Sequence, residues 1–217
     1  MHVVIAGGHG KIGLRLAALL AGRGDTVVGV VRNPDHRVDL DTAGSGAAVV
    51  DMETASVDDL ATHLKGADAV VFAAGAGPNS GTERKDTVDR AAAVLLADAA
   101  RQAGVGRYLL VSSIGVDDPP GEGTDEVWAA YLRAKKSAED AIRATDLAWT
   151  ILRPGHLTDD PGTGKVLLAP PPVGYGDVTR DDVAAVLAAL LDTPTTAGQV
   201  LELREGDSDI LEAVTAS

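Results

Sequence analysis

The stretch Val3–Gly13 constrains the fold more than any other part of the 217-residue chain. It reads Val-Val-Ile-Ala-Gly-Gly-His-Gly-Lys-Ile-Gly, so a short apolar run leads directly into closely spaced glycines. Beyond it, apolar residues recur at helical spacing, at Ile12, Leu16, Leu19 and Leu20. The pattern predicts a buried strand, a tight glycine turn and a helix.

Strand, glycine turn and helix together form the context in which a glycine motif indicates dinucleotide binding. Glycines allow the backbone to approach a pyrophosphate without an intervening Cβ, and the helix directs its free N–H groups at the phosphates. Two registers fit the sequence: Gly8, Gly10 and Gly13 as G-x-G-x-x-G, or Gly7, Gly10 and Gly13 as G-x-x-G-x-x-G. An ordinary glycine turn is the alternative interpretation.

The composition excludes several classes of function. The formal net charge is −13, which argues against general binding to nucleic acid or to anionic membranes, because both are negatively charged. The absence of cysteine rules out disulfides and thiolate chemistry. The five histidines lack the spacing of metal ligands, so we expect no metal site. No charged segment precedes an apolar run and no run reaches membrane-spanning length, so we expect a cytoplasmic protein.

Strands and helices alternate along the chain, which implies a parallel sheet covered on both faces. The predicted strands are residues 3–6, 26–31, 47–50, 69–73, 108–113, 148–152 and 200–203. Long helices are predicted at 83–103 and 125–144. Most pocket walls are expected from loops 76–84, 114–127 and 156–178.

Arg32 indicates which nicotinamide coenzyme the chain prefers. It ends the second predicted strand, about 20 residues after the glycine turn, where an NAD-binding unit usually carries an acidic residue for the ribose 2′-hydroxyl. An arginine there can hold a 2′-phosphate through charge-assisted hydrogen bonds, and Lys11 offers a second positive charge. We therefore expect NADP (NADPH) rather than NAD. A solvated arginine at a strand end is the alternative.

Several further motifs occur in a fixed order along the chain. They are Val31-Arg32-Asn33, Val111-Ser112-Ser113, Tyr131-x-x-x-Lys135, Arg153-Pro154-Gly155-His156-Leu157-Thr158 and Thr179-Arg180-Asp181-Asp182-Val183-Ala184. With the glycine turn, they make the chain resemble the short-chain dehydrogenase/reductase superfamily nearly end to end. It is most similar to the atypical NAD(P)H-binding branch, which includes proteins like NAD-dependent epimerases and dehydratases.

Tyr131 and Lys135 are the candidate catalytic pair. Four residues apart on a helix, they share one face, and a lysine cation close to a phenol favours the phenolate. The resemblance implies that Ser113 orients the substrate, Tyr131 transfers the proton and Lys135 supports it while binding the ribose. One departure is Asp89, which occupies the place of the superfamily's fourth catalytic residue, an asparagine. A chance Tyr and Lys pair on a helix is the alternative.

The remaining candidates concern coenzyme binding. Small residues after the fourth strand leave room for adenine and ribose, and the resemblance adds residues that flank the adenine or line the nicotinamide end. With the glycine turn and Arg32, the predicted set is Gly7, Gly10, Lys11, Ile12, Gly13, Arg32, Asp51, Met52, Ala73, Ala74, Gly75, Lys135, Pro154 and Gly155.

These expectations define a single NAD(P)-binding Rossmann domain over residues 1–217, a doubly wound α/β fold with strand order 3-2-1-4-5-6-7. Residues of about 156–217 form a small substrate-pocket portion. We expect an NADP-dependent oxidoreductase acting on a small carbonyl or alcohol, as a monomer or homodimer. A nucleotide-sugar epimerase or dehydratase and a non-catalytic NADP(H) sensor are the alternatives.

Overall fold

The computed structural model describes residues 1–77, 80–118, 120–121 and 123–217. Its strands are β1 (His2–Ala6), β2 (Thr26–Val31), β3 (Gly46–Val49), β4 (Ala69–Phe72), β5 (Arg107–Val111), β6 (Ala148–Pro154), β7 (His156–Thr158), β8 (Lys165–Ala169), β9 (Asp177–Thr179), β10 (Gln199–Glu205) and β11 (Ser208–Asp209). Pro78, Asn79, Pro119 and Glu122, from the expected loops 76–84 and 114–127, lie outside the described residues.

Helices cover both faces of the sheet. They are α1 (Lys11–Gly22), α2 (Arg37–Thr42), α3 (Val57–Leu64), α4 (Thr82–Arg84), α5 (Ala92–Ala103), α6 (Glu126–Arg143), α7 (Arg180–Leu191) and α8 (Ile210–Thr215). The π-helical segment Lys85–Ala91 connects α4 to α5, so the predicted helix 83–103 exists but contains a widened stretch. Among the described helices, none is long and apolar enough to cross a membrane.

The main sheet has the order β3-β2-β1-β4-β5-β6-β10-β8-β11. The pairs from β3 through β10 are all parallel, which confirms the doubly wound fold and the predicted order, with β10 as the seventh predicted strand. The prediction omitted β8 and β11, which pair antiparallel at the far edge. It also treated residues 156–178 as loop, whereas β7 and β9 form a separate two-stranded parallel sheet there.

The core consists of two apolar layers, one on each face of the sheet. Alternation along β1 sends Val3 and Ile5 into the layer that α1 and α7 cover. Val4 and Ala6 enter the opposite layer, beneath α3, α5 and α6. Because both faces of the strands are covered, their sequences are almost continuously apolar, as in β4 with Ala-Val-Val-Phe.

Three glycines of the turn and the start of α1 occupy positions that leave no room for a side chain. Gly7 has a φ of +82°, and a Cβ there would lie 2.6 Å from the Cα of Ala74. A Cβ on Gly8 would lie 2.5 Å from the Cα of Gly29 in β2, and one on Gly13 would lie 2.4 Å from the carbonyl oxygen of Gly7. The turn is therefore packed tightly against β2 and the end of β4.

Candidate functional site

Two adjoining cavities open along the carboxyl edge of the parallel strands. The first has a volume of 510 Å³ and lies beside β2 and β3, and the second has a volume of 450 Å³ and lies between β4, β5 and α6. Ala74 and Gly75, after β4, line both cavities, so the two form one continuous cleft. The edge where strands end in an open parallel sheet is where such folds bind ligands.

The start of α1 faces this cleft with unpaired backbone N–H groups. Gly10 is the N-cap, its helix has no acidic residue in the first turn, and no side chain caps it. The N–H of Gly10 donates to the Gly7 carbonyl and that of Leu14 to the Gly10 carbonyl, which leaves the first helical N–H groups without an acceptor among the described residues. This arrangement suits a diphosphate, because the helix N-terminus carries positive partial charge.

The first cavity contains most of the predicted adenosine-side residues. Its walls include Gly7, Gly10, Arg32, Asp51, Met52, Ala74 and Gly75, together with His9, Asn33, His36, Glu53, Arg84 and the apolar residues Val30, Val31, Val50, Val88 and Ala92. The flat apolar wall from the end of β2 and β3 suits a purine, and the arginines suit an anionic group.

Glu53 positions the two arginines of the first cavity. Arg32 Nη1 donates to Glu53 Oε2 at 2.9 Å, and Arg84 Nη2 donates to the same oxygen at 3.0 Å. The hydroxyl of Thr87 donates to Glu53 Oε1 at 2.7 Å. The hydrogen bond from Thr87, followed by that from Arg84, lowers the pKa of Glu53 below its usual value of 4.5. The Glu53 carboxylate therefore holds the guanidinium groups of Arg32 and Arg84, which come from different elements, at the opening of the first cavity.

The side chain of Lys11 and residue Gly155 line neither of the two cavities. The ammonium of Lys11 donates to Asp159, after β7, and Lys11 does not line the first cavity. Gly155 follows β6, where its N–H donates to the Leu203 carbonyl and a Cβ would lie 2.1 Å from the Gly176 oxygen. Neither Pro154 nor Gly155 lines the second cavity, which receives Leu157 from β7 instead.

The second cavity brings Tyr131, Lys135 and Asp89 together. Lys135 is 4% exposed; its Nζ donates to the Val111 carbonyl at 3.0 Å and lies 3.3 Å from Asp89 Oδ1. Asp89 is fully buried, and its Oδ2 accepts from the Ala76 N–H at 3.2 Å. Lys135 Nζ also lies 5.8 Å from the centre of the Tyr131 ring. The α6 face and the π-helical segment therefore form a buried ion pair beside the phenol.

The rest of the second cavity is mostly apolar, with one more cation. Trp128 stacks on Tyr131 at a ring separation of 5.1 Å, and the ammonium of Lys85 lies 5.4 Å from the centre of the Tyr131 ring. The other lining residues are Ile12, Ala73, Ala74, Gly75, Gly77, Val111, Ser112, Asp125, Val127 and Leu157. Among the described residues, the Tyr131 hydroxyl has no hydrogen-bond partner, which leaves it available to a ligand.

The two serines after β5 have different environments. Ser112 lines the second cavity, is 3% exposed and donates to Glu139 Oε1 at 2.5 Å. Ser113, the predicted substrate-orienting residue, is half-buried; its hydroxyl donates to the Ile114 carbonyl at 3.0 Å and it does not line the cavity. Of the two adjacent hydroxyls, only that of Ser112 therefore belongs to a residue that lines the cavity.

Sequence reasoning missed the functional candidates Glu53, Arg84 and Lys85. The first two meet only because the loop after β3 and the start of the helix after β4 reach the same edge of the sheet. For Lys85 a signal was present: it precedes Asp89 by four residues, which places both on one helical face.

Comparison with known proteins identifies a matching family and similar structures. A family model described as NAD(P)H-binding matches residues 7–194. A Bacillus subtilis protein named uncharacterised sugar epimerase YhfK is 35% identical over 215 residues, covering 99% of each chain. A Bacillus halodurans structure, named as an NAD-dependent epimerase/dehydratase, aligns over 100% of both chains with 33% identity and a TM-score of 0.92. Anaerobillin reductase ChuY of Escherichia coli O157:H7 aligns over 96% of this chain and 99% of its own, with 28% identity and a TM-score of 0.81.

The fold, the glycine turn and the cleft thus define a nucleotide-binding Rossmann protein of the short-chain dehydrogenase/reductase type. More particularly, the chain belongs to the NAD(P)H-binding family. A nicotinamide coenzyme fits the cleft: the turn would hold its diphosphate, the first cavity its adenosine half and the second cavity its nicotinamide end.

Proposed function

We propose that the protein is an NADP-dependent oxidoreductase that acts on a small carbonyl compound or alcohol. The observation that carries this proposal is the buried Lys135–Asp89 pair beside Tyr131, in a cavity continuous with the glycine-turn cleft. When bound, the coenzyme supplies or accepts a hydride at its nicotinamide ring. The chain's own contribution is to exclude water, hold the substrate oxygen and move one proton.

Tyr131 is the proton donor in the direction of carbonyl reduction. Its hydroxyl is free to donate to a substrate oxygen, and the positive charge of Lys135 stabilises the phenolate left after the transfer. Asp89 and the Val111 carbonyl keep the Lys135 ammonium in place, so Asp89 has the role of a positioning residue. Ser113 remains a candidate for orienting the substrate, and Ser112 is a second candidate because it lines the cavity.

Preference for NADP is supported by the two arginines at the mouth of the first cavity. Both Arg32 and Arg84 can turn from Glu53 to a 2′-phosphate, because Arg32 keeps 58% and Arg84 42% of the side chain exposed. A phosphate placed between two guanidinium groups accepts charge-assisted hydrogen bonds from both. The unphosphorylated coenzyme would lack these bonds and would meet the carboxylate of Glu53 instead.

Replacement of Tyr131 by phenylalanine tests the proposal. NADPH oxidation is measured over a panel of small aldehydes and ketones, with coenzyme affinity determined by calorimetry. We expect Tyr131→Phe to lower kcat/KM by about 10²–10⁴-fold, the range of general acid catalysis, with little change in NADPH affinity. Tyr175→Phe is the matched control, because Tyr175 is 67% exposed and lies outside both cavities. Unchanged turnover in Tyr131→Phe would contradict the proposed proton transfer.

A second candidate function is epimerisation of a nucleotide sugar, which the names of the relatives favour. An epimerase oxidises and reduces its substrate in one cycle, so it consumes no net coenzyme. Incubation with UDP-hexoses separates the two: interconverted sugars without NADPH oxidation support the epimerase. Tight NADPH binding without turnover of any substrate would instead support a non-catalytic sensor.

A further inference from the structure

We propose that Lys85 binds an acidic group of the substrate, so that the preferred substrate is a carbonyl compound carrying a carboxylate beside an apolar or aromatic body. This inference rests on the proposed oxidoreductase function and assigns its substrate class. Neither the glycine turn nor the Tyr131–Lys135 pair requires a cation at position 85.

The environment of Lys85 carries the proposal. Its side chain is 6% exposed, yet its Nζ makes a single hydrogen bond within the described residues, to the Gly77 carbonyl at 2.8 Å. An ammonium has three donors, and a buried charge is costly unless it is paired. Lys85 lines the second cavity, so its remaining donors are available to a ligand there.

The acidic residues around Lys85 already have other partners. Asp86 pairs with Arg90 at 2.5 Å, and Asp89 lies 3.3 Å from the Lys135 ammonium while accepting from a backbone N–H. Asp125 caps α6 by accepting from the Trp128 N–H at 2.9 Å. In the described part of the chain, Lys85 forms no ion pair. Its positive charge is therefore available to an anionic ligand.

The π-helical segment brings this charge to the reaction site. π-helical turns occur frequently at functional sites, and here the segment places Lys85 and Asp89 on the side that faces α6. Because the Lys85 ammonium lies 5.4 Å from the centre of the Tyr131 ring, a carboxylate bound to it would lie close to the tyrosine. Trp128, stacked on Tyr131, and the aliphatic walls would contact the apolar body.

The test compares phenylglyoxylate with its methyl ester, two carbonyl compounds that differ in one negative charge. Each is titrated into the full chain saturated with NADPH, and turnover is measured in parallel. We expect the acid to bind about 10–100-fold more tightly than the ester, the range for a hydrogen bond to a charged group. Lys85→Met should abolish this preference and Lys85→Arg should retain it. Lys136→Met is the control, because Lys136 pairs with Asp140 on the exposed side of α6.

The outcomes separate this inference from the proposed function. If Lys85 only holds the Gly77 carbonyl, Lys85→Met will weaken acid and ester equally, which overturns the inference. Equal affinity of the unmodified protein for both compounds also overturns it, and this comparison needs no variant to fold. Tight NADPH binding with equal affinities would refute the acid site alone, whereas absence of NADPH binding would refute the proposed function as well.

Discussion

Glu53 links the stability of the folded chain to pH. Its pKa lies below the usual 4.5 because Thr87 and Arg84 donate to the carboxylate, and these hydrogen bonds outweigh burial, which acts in the opposite direction. A group whose pKa is lowered in the folded state binds fewer protons there than in the unfolded chain. Its stabilising contribution is therefore fully present above pH 4.5 and is lost as the pH falls through the lowered pKa.

Glu53→Gln tests this linkage. We expect the variant to be less stable than the original chain by roughly 1–3 kcal/mol above pH 4.5, because hydrogen bonds to a charged group are lost. The difference should shrink at lower pH, where the carboxylate of the original chain is itself protonated. Urea unfolding at a series of pH values measures it. Asp58→Asn, at an exposed position of α3, is the control. A stability difference between Glu53→Gln and the original chain that widens on acidification would contradict the role assigned to the Glu53 carboxylate.

At the scale of single residues, the sequence predicted a position in the site where that position follows from the spacing to a nearby motif. Arg32 could be predicted because it ends a strand at a known distance from the glycine turn, and the structure places it in the first cavity. Glu53 and Arg84 could not be predicted, because their ion pair depends on how two distant segments meet. Ser112 and Ser113 are adjacent, so spacing alone could not decide which side chain faces the cavity.

The glycine turn and helix α1 are the element to which we assign binding of the coenzyme diphosphate. Two glycines of α1 differ in what a side chain would meet. A Cβ on Gly13 would lie 2.4 Å from the Gly7 carbonyl oxygen, whereas one on Gly22, at the other end of the helix, would meet no atom within 4 Å. Packing of the turn therefore requires glycine at position 13, whereas at position 22 a substitution would change only the helix propensity.

Gly13→Ala and Gly22→Ala form a matched pair. We expect Gly13→Ala to displace the turn, lower the free energy of unfolding by about 1–3 kcal/mol and weaken NADPH binding at least about tenfold. Gly22→Ala should leave binding unchanged and raise stability by up to about 1 kcal/mol, because alanine has less conformational freedom to lose in a helix. Chemical unfolding and calorimetric titration measure both. Unaltered binding in Gly13→Ala would show that the turn does not hold the coenzyme.

The elements of the central sheet could be predicted because buried parallel strands leave continuous apolar runs between helical patterns. The π-helical segment Lys85–Ala91 was not predicted, because the sequence pattern was interpreted as one uninterrupted helix over residues 83–103. Strands β7, β8, β9 and β11 were also missed. Residues 156–178 are rich in glycine and proline, and β8 belongs to an antiparallel edge that the alternation of strand and helix does not predict.

At the scale of the whole molecule, the buried guanidinium of Arg153 connects β6 to α6 and to the last parallel strand, β10. Arg153 in β6 is 2% exposed and donates to Glu139 of α6 at 2.6 and 2.9 Å and to Asp117, after β5, at 2.5 Å. Glu202 of β10 lies 3.8 Å away. Burial acts to lower the pKa of Arg153, but the hydrogen bonds with Glu139 and Asp117 outweigh it and raise the pKa above its usual value.

Arg153→Met should therefore affect the entire fold. Removing the cation leaves the fully buried carboxylate of Glu139 without a counter-charge, and breaking such a pair from one side costs about 3–5 kcal/mol. The double variant Arg153→Met/Glu139→Leu should recover part of the loss, since apolar side chains of similar volume can replace a buried ion pair. Urea unfolding of the four members of the cycle measures the coupling. Arg143→Met, at the exposed end of α6, is the control. If Arg153→Met were no more destabilising than this surface change, the ion-pair network around Arg153 would not stabilise the packing of β6, α6 and β10.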